Sequence, residues 1–252
     1  MTDTVLFDVQ GHIARITLNK PERHNSLGET ELAALQQHVD AVENDSDIRV
    51  LIVTGKGEKT FCAGAALDQL GKGQISGDLF QQTTDKLAAV RVPTICALNG
   101  NVFGGGVELA LSCDFRIGIE GTRLKVPAAQ IGLCYPLSGI NRFVERLGVN
   151  LAKRILVAAE EFDADDMLRI GFLDYLVPPT ALEFHAQDMA ERVSGLAPLA
   201  VQAMKAILQQ AAAGSIDLES AQALSQRCLD SEDLQEGFAA QREKRAPEFT
   251  GK

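Results

Sequence analysis

The stretch Asn101–Asp114, NVFGGGVELALSCD, sets three consecutive glycines, Gly104 to Gly106, directly ahead of an apolar run at helical spacing, with one acid, Glu108, inside it. Glycine has no Cβ, so the backbone of such a turn admits a ligand at close range. A helix opening at Gly105 or Gly106 leaves its first N–H groups without intrahelical partners and pointing outward. The turn is a candidate anion or oxyanion site. Two nucleotide-binding patterns fail: there is no GxxxxGK followed by Ser or Thr, and glycines at positions 100, 104, 105 and 106 do not fit GxGxxG. A carboxylate in the first turn repels phosphate, while the helix dipole favours an ionised carboxylate that can take a proton. The combination suits a neutral carbonyl that gains negative charge during reaction. The alternative for this segment alone is a close strand-to-helix crossing with an exposed or capping glutamate.

A second turn has the same character. FCAGAALDQL, Phe61–Leu70, follows a strong strand and opens a helix-like run, with Ala63, Gly64, Ala65 and Ala66 giving close backbone access. Two strand-to-helix turns with bare N–H groups are what a two-donor oxyanion hole requires.

Around these turns the chain reads as repeating strand and helix. Val5 to Asp8 and His12 to Asn19 alternate apolar and polar about Gly11, predicting a hairpin. Leu32, Leu35, Val39 and Val42 fall at helical spacing, and IRVLIVTG follows as a continuous apolar strand. A helix over Leu79–Val90, the strand TICALNG, the triple-glycine turn and its helix, and the strand DFRIGI complete the pattern. Strands alternating with helices imply an α/β fold with parallel pairing. From about Leu182 the chain is helical in pattern and Ala-rich, broken at Gly195, Pro198, Gly214 and Pro247. The expected division is a core over 1–185 and a helical region over 186–252 that packs on its own domain or on a neighbouring subunit.

The 252 residues carry a formal charge of −10, which opposes unselective binding to nucleic acid or anionic lipid. No apolar run reaches membrane-spanning length, and the first residues match neither a signal nor a transit peptide, so a cytoplasmic protein is expected. Five cysteines without CxxC spacing and four scattered histidines without HExxH argue against a disulfide framework and a metal site.

The motifs LNKPERHNSL, VLIVTGKGEKTFCAGAALDQL, ALNGNVFGGGVELALSCDFRIG and DSEDLQEGFAAQREKRAPEF occur in the order and spacing of the crotonase superfamily, the enoyl-CoA hydratase and isomerase family, which this chain resembles over nearly its whole length. The resemblance implies a spiral of ββα units, a helical C-terminal region that makes homotrimers or hexamers, and a coenzyme A thioester as substrate with no separate cofactor. It places the oxyanion N–H groups at Ala65 and Gly105 and the first catalytic glutamate at Glu108. For the coenzyme A arm it points to Lys20, Glu22 and Arg23, to Ala63, Gly64, Ala65, Ala66 and Leu67, and to Phe238 or Lys244 near the C-terminus. At Gln241 the family commonly has an aromatic residue, and at Ala66 an acid.

One departure bears on the reaction. Hydratases of the family have a second glutamate twenty positions beyond the first, where this chain has Ala128. Adding water to a double bond needs one group to activate the water and one to deliver a proton, so ordinary hydration is not expected. After Ala128, GLCYPLSGINRF places Tyr135 where the stretch resembles methylmalonyl-CoA decarboxylases, which use a tyrosine near the departing carboxylate. Those enzymes carry a histidine at the position of Ala65, and for Tyr135 the alternative role is packing. Three readings stand at this point: a lyase or isomerase acting on an acyl-CoA thioester, a binding protein of the same fold, and a serine hydrolase through Ser138, for which no GxSxG occurs.

Overall fold

The computed structural model describes residues 3–73 and 75–252. Ten strands and ten α-helices run in the order β1 (Val5–Gln10), β2 (Ile13–Leu18), α1 (Glu29–Asn44), β3 (Val50–Gly55), β4 (Thr60–Cys62), α2 (Leu67–Leu70), α3 (Gly77–Ala89), β5 (Thr94–Leu98), β6 (Asn101–Phe103), α4 (Gly105–Leu111), β7 (Phe115–Ile119), β8 (Arg123–Lys125), α5 (Leu137–Leu156), β9 (Glu161–Asp163), α6 (Ala164–Arg169), β10 (Tyr175–Val177), α7 (Leu182–Ser194), α8 (Pro198–Ala212), α9 (Leu218–Leu229) and α10 (Glu232–Glu243) among the described residues.

The strands form two sheets, one in the order β1-β2-β3-β5-β7-β10 and one in the order β4-β6-β8-β9. Each turn of the spiral contributes a strand to the first sheet, then a short strand to the second, then a helix: β3 and β4, β5 and β6, β7 and β8. Pairing within the spiral is parallel, while β1 with β2 and β8 with β9 are antiparallel. The hairpin is read correctly from its alternation because only one face of its outer strand β1 is covered.

The central strands read as unbroken apolar runs because both faces of the six-stranded sheet are covered. Along β3, Leu51 and Val53 enter the main core while Val50 and Ile52 face the other side, where Ala186, Met189 and Ala190 of α7 pack. The division expected at 185/186 thus falls inside α7. That helix belongs with the sheet because its apolar stripe closes the sheet's second face, and the helices that stand apart begin at Pro198. The C-terminal helices attach to the spiral through Lys205 on α8, whose Nζ donates to the Val92 carbonyl at 2.7 Å and pairs with Asp114 Oδ2 at 2.7 Å.

Candidate active site

The two glycine-bearing turns meet. A Cβ built on Gly64 would lie 2.4 Å from the Gly105 nitrogen, so no other residue allows the first turn to sit against the start of α4. Gly64 also has φ +83, a left-handed value that side chains disfavour. A Cβ on Gly106 would lie 2.3 Å from the Cys62 carbonyl oxygen, which docks α4 on β4 just ahead of the first turn.

Both candidate donors are left open by this arrangement. In the first turn Leu27 N–H donates to the Gly64 carbonyl at 2.8 Å and Ala66 N–H donates to the Leu27 carbonyl at 2.9 Å. The bonds use the groups flanking Ala65 and leave its own N–H out of the bridge. In the second, Gly104 N–H donates to the Lys125 carbonyl at 2.9 Å and Gly105 opens α4, where the helix supplies no acceptor. The sequence marked both turns by their small residues, and the family resemblance singled out Ala65 and Gly105 within them.

Glu108 lies in the first turn of α4 and is 1% exposed. Its Oε1 accepts from Thr84 Oγ1 of α3 at 3.0 Å and from Arg142 Nη1 of α5 at 3.1 Å. Burial pushes its carboxyl above the usual carboxylate range; Arg142 and the Thr84 bond pull it down and nearby Asp85 pushes it up, with burial prevailing. A raised proton affinity suits a group that both gives and takes a proton.

Tyr135 packs edge-on against Phe143, with ring centroids 5.8 Å apart at 88°. Its hydroxyl is buried without a hydrogen-bond partner among the described residues, and burial, with Glu108 close enough to repel the phenolate, pushes its ionisation far upward. The phenol therefore stays neutral and can only donate or accept a hydrogen bond. Ser138 Oγ is likewise buried, and among the described residues no base is hydrogen-bonded to it. Ala128 is 7% exposed and belongs to the main core, against which Tyr135 packs.

The residues expected at the coenzyme A arm divide. Glu22 and Arg23 stand exposed on a short turn, Pro21–Arg23, joined to the first oxyanion turn by Ala63 N–H donating to the His24 carbonyl at 3.0 Å. Lys20 is engaged: its Nζ donates to the buried Glu31 Oε1 at 3.0 Å. Ala63 lines a groove of about 830 Å³ with His24, Lys59, Phe103 and Arg123. Gly64 and Ala66 are buried and Leu67 is exposed, while Phe238, on α10, lines a separate cavity of about 310 Å³ with Leu199, Gln241 and Phe249. Lys244, just past α10, is exposed in a left-handed conformation.

Four residues around Glu108 escaped the sequence reading: Thr84, Asp85, Gly139 and Arg142. A further one, Asn25, builds the loop beneath it, its buried Nδ2 donating to the Lys56, Thr60 and Phe61 carbonyls. A charged residue on an amphipathic helix reads as solvated face. The one available signal for Arg142 is its place directly before Phe143 on the apolar stripe of α5.

A spiral of ββα units in which two glycine-bearing turns meet at the start of the helix that carries a buried glutamate defines a crotonase-type fold. Residues 8–252 match the enoyl-CoA hydratase/isomerase family. The chain is 33% identical to the (E)-benzylidenesuccinyl-CoA hydratase of Thauera aromatica, covering 98% of this chain and 99% of that one. It is 31% identical to the short-chain-enoyl-CoA hydratase of Clostridium acetobutylicum, with 96% of each covered. The crystal structure of enoyl-CoA hydratase from Bacillus anthracis superposes with a TM-score of 0.91 at 29% identity, covering 99% of this chain and all of that one. The chain belongs to the enoyl-CoA hydratase/isomerase family, within the crotonase superfamily. Among the described residues no helix is long and apolar enough to cross a membrane, and no group of His, Cys, Asp and Glu could hold a metal ion.

Proposed function

We propose that the protein is an acyl-CoA enzyme in which the N–H groups of Ala65 and Gly105 hold the thioester oxygen as it becomes an enolate, with Glu108 moving a proton at the acyl chain. The observation that supports this reading is the contact of the two turns at Gly64 and Gly105, one of which opens the helix that carries a buried carboxyl of raised proton affinity. One such oxyanion donor typically lowers a barrier by roughly 3 to 4 kcal/mol. With Ala128 in place of a second carboxylate, the reaction is an isomerisation or a lyase step and not ordinary hydration. Coenzyme A enters as part of the substrate, its arm along Ala63–Leu67 near Glu22 and Arg23. Exposed Leu196, Met204, Leu208 and Phe238 support assembly of the C-terminal helices into a trimer or hexamer, which light scattering in solution tests.

The assay pairs crotonyl-CoA with methylmalonyl-CoA, on the wild type and on Glu108→Gln. Slow crotonyl-CoA hydration is expected; hydration at the rate of a two-glutamate enzyme refutes the argument from Ala128. Binding of thioesters with no turnover of any supports instead a non-catalytic acyl-CoA-binding member.

A decarboxylating lyase is favoured by one observation, the unpartnered Tyr135 hydroxyl. An unpaired buried hydroxyl costs about 1 to 3 kcal/mol, a cost that a substrate carboxylate accepting its hydrogen bond removes. In such a step the bond from Cα to the carboxylate breaks, its electron pair enters the enolate, carbon dioxide leaves, and protonated Glu108 returns a proton to Cα. Tyr135→Phe then slows methylmalonyl-CoA decarboxylation while leaving fold stability unchanged or slightly raised; an unchanged rate removes this reading.

A further inference from the structure

Glu108 is gripped on one oxygen only. Thr84 Oγ1 and Arg142 Nη1 both donate to Oε1, and Oε2 takes part in neither bond. Arg142 is itself 7% exposed, and its Nη2 donates to Asp85 Oδ1 at 2.5 Å. Thr84 and Asp85 are neighbours on α3, so one helix turn supplies both the hydroxyl that meets Glu108 and the carboxylate that aims Arg142 at it. From α5, three residues ahead of Arg142, Gly139 presses on the same carboxylate: a Cβ there would stand 3.0 Å from Glu108 Cδ and from each of its oxygens.

A carboxylate has about four lone-pair sites, and donors crowded on one oxygen leave the other the more basic. A guanidinium with one fork on Glu108 and the other on Asp85 cannot swing away without leaving a buried charge unpaired, which is strongly unfavourable. We propose that Arg142, held by Asp85, is a positioning residue for Glu108 that fixes Oε1 and leaves Oε2 as the oxygen that takes up and returns the substrate's proton. The inference rests on the reading of Glu108 as the acid/base. The groups facing Glu108 are Arg142 of α5, Thr84 and Asp85 of α3, Tyr135 of the preceding loop, and beyond it Cys62 of β4, whose buried thiol is pushed up to about 12. Near neutral pH the charges that act on it are therefore those of Arg142 and Asp85, of opposite sign.

The experiment follows the Glu108 titration directly, through the infrared C=O stretch of its protonated carboxyl, identified by its loss in Glu108→Gln. Arg142→Met removes the attracting charge and moves the midpoint up by about 1 pH unit or more, whereas Asp85→Asn keeps the acceptor, removes a repelling charge and moves it down. In parallel, proton NMR follows exchange of the α-protons of butyryl-CoA in heavy water: the Cα–H bond breaks, the proton goes to Oε2, and a deuteron returns. Exchange falls roughly 10²-fold in Arg142→Met at little change in KM, and Arg142→Lys recovers part of it. Asp85 is partly exposed, so Asp85→Asn carries the test even where Arg142→Met fails to fold. Midpoints that stay put, or that move in the same direction in both variants, overturn the positioning role. Exchange at the wild-type rate in Glu108→Gln, with both midpoints displaced as stated, instead removes the acid/base reading and leaves the ion triad standing. A wild-type protein that exchanges no α-protons counts against both.

Discussion

Glu108, buried in α4, and Asp114, half-buried just past that helix, are each paired with a cation from a later helix, yet they are treated oppositely. Asp114 Oδ2 accepts from Thr94 N–H at 2.8 Å, Thr94 Oγ1 at 3.0 Å and Lys205 Nζ at 2.7 Å, and Arg146 stands 3.9 Å from Oδ1. Its bonds tie the start of β5 and helix α8 to the core. Glu108 has two donors on one oxygen and a burial cost that its partners do not offset. A saturated carboxylate holds elements together; an undersaturated one leaves an oxygen open, as the acid/base role proposed for Glu108 requires.

The comparison breaks most sharply at Glu108 itself. Glu108→Gln should lower turnover of the wild type's thioester substrate by about 10² to 10⁴, the range expected for loss of a positioned acid/base. Its fold should persist, as circular dichroism checks; turnover within a few-fold of the wild type makes Glu108 another structural carboxylate. The converse change, Lys205→Met, takes from the half-buried Asp114 its closest cation and should destabilise by about 3 kcal/mol, seen in denaturant unfolding. The Glu108 midpoint should not move, and a shift of that midpoint would show that the two carboxylates are coupled.

A smaller effect is expected at Gly139. Gly139→Ala puts a methyl against the Glu108 carboxylate and should slow turnover about tenfold, equivalent to about 1.4 kcal/mol of barrier, with KM unchanged. The smallest concerns pH and stability. Because Glu108 is raised in the folded state, the folded chain binds the proton more tightly than the unfolded one. Stability should therefore fall as pH rises from the ordinary carboxylate range through the raised folded value. That component should be absent from the difference between acidic and neutral unfolding midpoints in Glu108→Gln, and its persistence there assigns it to another group.

Much of the fold was legible before any coordinates. Alternation marked the β1–β2 hairpin, the unbroken apolar runs marked strands covered on both faces, and the glycines of both turns marked close backbone approach. These are local signals, set by neighbours in the chain. The boundary expected at 185/186 falls inside α7, which reads like the helices after it and is set apart from them by packing on the sheet's second face. Lys20 reads as an available cation but is bonded to Glu31, whose carboxylate lies on α1.

By itself the sequence determined the superfamily, the two glycine-bearing turns, a carboxylate at Glu108 and an alanine at position 128, since each follows from residue types and motifs within a few positions, and the family resemblance supplied the expected roles of Ala65, Gly105 and Glu108. The tertiary structure alone decided that Glu108 is held on one oxygen by an arginine 34 residues away and that Asp114 is saturated. The physical reason is that hydrogen-bond saturation is a property of surroundings assembled from α3, α5, β5 and α8. No stretch of sequence contains those surroundings.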